Sequence, residues 1–109
     1  GKAAAGRLLK AHPRLTALLC FNDEMAFGAK NAAEELGLRV PDDLSLTGFD
    51  NLVYSSYSDL RLTTVERSAT AIAVEGTKML LQSISEDDFR PRDTWLETRL
   101  IVRDSVKDI

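Results

Sequence analysis

Leu15-Thr16-Ala17-Leu18-Leu19-Cys20-Phe21-Asn22-Asp23-Glu24-Met25 is the stretch that decides the fold. Residues 15–21 form a nearly unbroken apolar run, the pattern of a strand buried on both faces in a parallel sheet. Asp23 and Glu24 then open a helix over 23–36, where negative charge suits the unpaired N–H groups of a first turn. Gly37 stops it. At about 100° per residue, Met25, Ala29, Ala32 and Leu36 make a narrow stripe, widened by Ala26 and Ala33. Phe27 falls on the opposite side, near Lys30, Asn31 and Glu34. Leu38 to Asp43 is a loop with Pro41-Asp42-Asp43 as its turn. Residues 44–49, Leu-Ser-Leu-Thr-Gly-Phe, make a second strand. Strand, helix, strand in this order is a βαβ unit, so the two strands should be adjacent and parallel with a right-handed crossover.

Working outward, residues 2–12 predict a helix ended by Pro13, with Ala4, Leu8 and Ala11 on one face and Leu9 beside them. Residues 51–61 are polar and irregular, interleaved with Tyr54 and Tyr57. A short strand over Leu62–Val65 follows. A third helix over 68–84 presents Ile72, Gly76, Met79, Leu80 and Ser83 as its inner face. Glu86 to Asp93 is a charged loop, and Trp95 to Val102 is a last strand. The fold class is therefore α/β, a parallel sheet built from βαβ units.

Composition bounds the function. The chain has 109 residues, 44% hydrophobic and 28% charged, which suits one globular core rather than disorder. Its net charge of −3 argues against this stretch being a nucleic-acid-binding head. A single cysteine excludes a disulfide framework and a multi-cysteine metal site. No apolar run approaches the ~18 residues of a membrane span, and residues 1–13 do not form a signal peptide. An opening on Gly1 rather than Met reads as a fragment or a processed product. No two glycines have G-x-G spacing, and no G-x-S-x-G elbow occurs. The lone His12 reads as a solvated helix end. No enzyme activity, metal or cofactor is expected.

One constellation remains. Asn22-Asp23 follows the first strand, and Gly48-Phe49-Asp50-Asn51 ends the second. Both lie at carboxyl ends of strands, beyond which ligands bind in open α/β sheets. Neighbouring strands lie about 4.8 Å apart, so Asn22 and Asp50 should emerge side by side. A carboxylate accepts from two hydroxyls and an amide both donates and accepts, which suits a polyhydroxylated or nitrogen-ring ligand. The alternative is local: Asn22 or Asp23 caps the helix, and Asp50 opens an Asx-turn.

These residues also carry a resemblance. Leu15 to Ala29 resembles a signature "P-T-A-hydrophobic…N-D-x-M-A-x-G-A". Gly37 to Asn51 resembles "G-hydrophobic-R-V-P-x-D-hydrophobic-S-hydrophobic-x-G-F-D". Leu62-Thr63-Thr64-Val65 is similar to "L-T-T-V". In this order and spacing the blocks resemble the lactose-repressor/galactose-repressor (LacI/GalR) family of bacterial transcription regulators, over roughly residues 13–105. The resemblance implies a periplasmic-binding-protein-like core of two subdomains with a small effector in the cleft. Residues 1–109 would be the C-terminal part of that effector-binding and dimerisation core. The chain would cross to the N-terminal subdomain at Leu62–Val65, and the tail from about Trp95 would return. The helix-turn-helix head and most of the N-terminal subdomain would lie outside these residues, so operator DNA would be met only through that head.

Asn22 and Asp50 match the family's effector-binding positions, and Asp23 is assigned to capping or to the cleft's outer layer. Two departures stand out: Asp59-Leu60-Arg61 replaces the usual proline before the third block, and Arg67 stands where a glutamine is common. The effector implied is a sugar, with a purine as the other ligand class. The protein would be cytoplasmic, away from any membrane, and homodimeric. Family members pair through the helix after "N-D-x-M-A", which makes outward Phe27, with Tyr54 and Tyr57 beside it, the expected dimer interface. The competing reading is a fragment of a periplasmic sugar-binding transport protein, which shares the fold and the cleft. An α/β enzyme is a third, with Asp50 as its only candidate base.

Overall fold

The computed structural model describes residues 1–108. In chain order the elements are α1 (Lys2–Ala11), β1 (Ala17–Leu19), α2 (Asp23–Glu35), β2 (Ser45–Phe49), a 3-10 turn (Val53–Ser56), β3 (Thr63–Arg67), α3 (Ala69–Ser85) and β4 (Thr98–Ile101). One sheet runs β1-β2-β3-β4. β1 and β2 are parallel neighbours with Leu18 opposite Leu46, and α2 connects them. β2 and β3 are parallel too, with Gly48 opposite Thr64. The chain forms two compact units, one of Gly1–Glu66 with the tail from Arg99, the other Arg67–Thr98.

The core of the first unit lies between α1, α2 and the sheet. Leu44, Leu46, Leu60 and Leu62 fill it from the sheet side, and Ala26, Ala29, Ala32 and Ala33 from α2. Four alanines keep α2 thin where it meets the strands. The α2 stripe is thus rotated from its expected position, because Met25 and Leu36 lie at its exposed margins. In α1 the buried pair is Ala5 and Leu9, whereas Leu8 is exposed. The cause is the neighbour: the backbones of Gly1 and Lys2 approach Gly28 so closely that a Cβ there would lie 2.6 Å from the Lys2 nitrogen. That approach selects which face of α1 turns inward.

β1 is not buried on both faces. Leu19 is 87% exposed and Phe21 is 85% exposed. β1 is the edge strand of the sheet, and among the described residues no element covers its outer side. Leu8, Leu18, Leu19, Phe21 and Met25 line a shallow groove of about 240 Å³ there.

The C-terminal tail closes the other end of the core. The Ser105 hydroxyl donates to the Leu46 carbonyl at 2.6 Å and accepts from the Thr63 amide at 2.8 Å. Ser105 is fully buried and ties the tail to β2 and β3.

The second unit is organised differently. Ser68 caps α3 by accepting from the Ala71 amide at 3.0 Å. None of the helix's residues is buried. Of the expected inner face, Met79 is half-buried and meets the Thr94 hydroxyl at 4.0 Å, whereas Ile72 and Leu80 are exposed, as is Trp95. The last strand is shorter than expected, starting at Thr98.

Candidate functional site

Asn22 and Asp50 stand equally far along the chain from the last paired residues of β1 and β2. Leu19 pairs with Thr47, and the Cys20 amide donates to the Thr47 carbonyl at 2.9 Å. Asn22 and Asp50 each lie three residues beyond the paired positions, at the carboxyl ends of adjacent parallel strands. Both are half-buried. Asn22 is also the N-cap of α2, its Oδ1 accepting from the Met25 amide at 2.8 Å. Capping and presentation at the strand end are thus combined in one side chain, with Oδ1 turned to the helix.

Asp50 begins a sharp departure from β2. Its amide donates to the Val65 carbonyl at 2.9 Å, continuing the pairing with β3. Its φ is 108° and that of Asn51 is 50°. Two consecutive non-glycine residues in left-handed territory are uncommon, though Asp and Asn tolerate it best. The turn re-aims the chain at the point where the candidate ligand carboxylate stands.

Asp23 does not cap α2, since Asn22 holds that position. It is 0% exposed. Its Oδ2 accepts from the Leu52 amide at 2.8 Å and the Ser55 hydroxyl at 2.6 Å, and its Oδ1 from the Thr64 hydroxyl at 2.5 Å. Gly48 makes room for it, because a Cβ at 48 would collide with Asp23 Oδ1 and Leu62 Cδ2.

A polar chain flanks the turn. Asn51 Nδ2 donates to Glu66 Oε1 at 3.0 Å, and Asn51 Oδ1 accepts from Arg103 Nη2 at 2.6 Å. Arg99 Nη2 donates to Glu66 Oε2 at 2.8 Å. The Arg99 guanidinium, then the Asn51 amide, hold the Glu66 carboxyl below the usual carboxylate range. Arg103 also donates to the Leu62 carbonyl at 2.7 Å. Sequence reasoning missed Asn51, Glu66, Arg99 and Arg103. They come together only because β2, β3 and the tail are assembled.

Phe27 is less exposed than its place on the helix alone suggests. It is half-buried, packs against the edge of the core, and meets the Tyr54 ring at a centroid distance of 5.3 Å and an angle of 53°. The 3-10 turn carries Tyr54 back over α2 and covers the side of Phe27 that the helix alone leaves open. Partial burial, then the charges of Glu24 and Asp23, push the Tyr54 hydroxyl up. Tyr57 and Val53 are the strongly exposed members of this surface. Cys20 is half-buried, and burial raises its thiol. Among the described residues, no group of three or more His, Cys, Asp or Glu converges as a metal site, and no helix is long and apolar enough to cross a membrane.

This architecture, a parallel βαβ sheet with polar residues gathered at its strand ends, defines a periplasmic-binding-protein-like ligand domain. The family model for the periplasmic binding protein-like domain matches residues 2–106. The chain is 45% identical over 107 residues to the probable HTH-type transcriptional repressor ExuR of Bacillus subtilis (strain 168), a match covering 98% of this chain and 32% of that protein. It is similar to the lac repressor dimer bound to operator and the anti-inducer ONPF, at TM-score 0.84 and 30% identity, covering 96% of this chain and 36% of that one. A LacI family transcriptional regulator from Arthrobacter sp. FB24 in complex with lactose matches at TM-score 0.81 and 28% identity, covering 97% of this chain and 40% of that one.

The chain belongs to the periplasmic binding protein-like domain family. Within it, the chain is similar over nearly its whole length to one portion of LacI-type transcriptional regulators. It spans about a third of the length of the curated relative it matches.

Proposed function

We propose that this chain supplies one wall of the effector pocket of a bacterial transcriptional regulator, and that the effector is a sugar. The observation that supports the reading is that Asn22 and Asp50 each follow the carboxyl end of one of two adjacent parallel strands, β1 and β2, three residues past their last paired positions. An amide and a carboxylate side by side suit vicinal hydroxyls, which donate and accept together. The lactose complex of the Arthrobacter regulator supports the sugar class. The turn at Asp50–Asn51 gives the wall its shape. The chemistry asked of it is recognition rather than catalysis, and the transcriptional repressors that the chain resembles support a cytoplasmic protein. Operator contact belongs to a head outside these 109 residues.

Pairing is part of the same reading. Two copies would meet through the Phe27–Tyr54 pair, with exposed Val53 and Tyr57 around it. Aromatics of this kind are frequent interface anchors, and a two-fold contact would set each patch against itself. That the lac repressor this chain resembles is a dimer supports pairing as such.

A thermal-shift screen of the full-length regulator against lactose, ribose, other sugars and purine bases tests the effector class. A rise in Tm with at least one sugar is expected, because a ligand that binds only the folded state raises stability. A rise with a purine and none with any sugar would overturn the sugar assignment.

A further inference from the structure

Asp23 is a fully buried carboxylate that accepts from three donors in two other parts of the chain. Its donors come from Leu52 and Ser55 in the loop and from Thr64 in β3. Burying a carboxylate is costly unless its oxygens are well satisfied, and none of its side-chain atoms lacks a partner. An asparagine could not replace it cleanly. One of its two ends would present N–H against a donor: at Oδ2 the Leu52 amide, at Oδ1 the Thr64 hydroxyl. To accept from that N–H, Thr64 Oγ1, which also accepts from the Asn51 amide at 3.3 Å, would have to turn its own proton away and lose the Asp23 acceptor.

The consequence lies in the loop. Asp50 and Asn51 are both left-handed. Such a pair persists only where its surroundings over-determine it. The two amides immediately downstream of Asp50 are the ones held: Asn51 by Thr64, and Leu52 by Asp23. Three residues further on, Ser55 donates to the same carboxylate oxygen as Leu52. Ser55 is next to Tyr54, whose ring packs on Phe27. Asp23 and Phe27 are four apart on α2, one turn along the same helix. The segment 50–55 is therefore fixed to α2 at two points, with the candidate ligand residue at one end and the aromatic surface at the other.

We propose that Asp23 is a positioning residue that holds the Asp50–Asn51 turn and the Tyr54 edge as one body, so that events at Asp50 and pairing through Tyr54 are energetically linked. The linkage rests on the pairing reading above; the positioning role does not. Asp23 itself touches no ligand, because its oxygens are occupied by protein donors.

Two measurements on the full-length regulator decide this. The first is backbone hydrogen exchange in Asp23→Asn and, should that variant not fold, in Thr64→Val. Positioning predicts exchange at Asn51 and Leu52 at least about ten-fold faster in Asp23→Asn, with the α2 and β2 amides unchanged. In Thr64→Val the acceleration centres on Asn51. Unchanged exchange at 51–52, or an equal rise in every element, overturns positioning.

The second is the dimer dissociation constant by sedimentation. Asp50→Asn should shift it about five-fold or more in the wild-type background, and by less than two-fold when Thr64→Val is also present, a non-additivity that defines coupling. Equal shifts in both backgrounds, or none in either, overturn the linkage. A monomeric wild type overturns the linkage and the pairing reading together, while the exchange pattern still decides the positioning role.

Discussion

α2 and α3 begin alike and end differently. Each is capped by a polar side chain that accepts from an amide three residues on, Asn22 for α2 and Ser68 for α3. α2 buries five residues, including the carboxylate of Asp23, and is fastened to the loop by side chains of both polarities. α3 is the longer helix and buries none. Capping and periodicity decide that a helix forms; burial depends on what the rest of the chain places against it. The region of α2 is a packed piece of core that carries the candidate site. The region of α3 is a capped helix whose apolar side chains none of the described residues buries.

The largest expected effect separates the two directly. Leu46→Ala removes a fully buried side chain opposite Leu18 and should cost about 2–5 kcal/mol. Leu80→Ala removes one that is 61% exposed and should cost less than about 0.5 kcal/mol in this chain. Denaturant unfolding of the 109-residue chain and both variants measures this. Equal losses would mean that α3 is buried in solution and would erase the contrast.

That contrast also marks what the sequence made legible. The apolar run at 15–21, the stop at Gly37 and the second run at 44–49 suffice for the βαβ unit, because strand and helix periodicities are local properties. The buried faces were not legible to the residue. Ala5 and Leu9 replace Ala4 and Leu8, and Ala26 and Ala33 outrank Met25 and Leu36. The close approach at Gly28 sets that rotation, and its partner atoms are on another helix. The same limit applies to the site. Asn22 and Asp50 are visible because they follow strands. The role of Asp23 is not, because its partners are 29, 32 and 41 residues away. Phe27 looks outward on a helical wheel, and only the loop that returns with Tyr54 covers it.

A smaller effect compares the ion pairs of the two regions. Lys30 Nζ bridges Asp59 at 2.8 Å and Glu34 at 2.7 Å, tying α2 to the loop. In α3 the Lys78–Glu75 pair at 2.7 Å stays within one turn. The Lys30 hydrogen bond holds the Asp59 carboxyl below its ordinary value, and Lys78 does the same to Glu75. A lowered carboxyl contributes stability above its unfolded pKa and loses it as pH falls through the folded value. The Lys30 ammonium is raised, chiefly by Asp59, so its contribution is present below its unfolded pKa and lost as pH rises through the folded value. The bridge therefore stabilises across the neutral range and fades at both ends. Asp59→Asn should lower Tm slightly at about pH 7, with the two curves converging towards about pH 2. A constant offset through acid would contradict the assignment. Glu75→Gln should change Tm less, because its partner is on the same helix.

The pair at the strand ends is the centre of the account, and one titration tests it most directly. Asp50→Asn keeps a residue that tolerates φ of 108° while removing the charge. Calorimetric titration of the full-length regulator, with the sugar giving the largest thermal shift, should show binding weakened about ten- to hundred-fold, as expected for losing a buried charged hydrogen bond. Operator affinity without effector, measured at a concentration where both proteins are fully dimeric, should be unchanged. Sugar affinity equal to that of the wild type would contradict the account, leaving Asp50 as a turn residue and the pocket elsewhere.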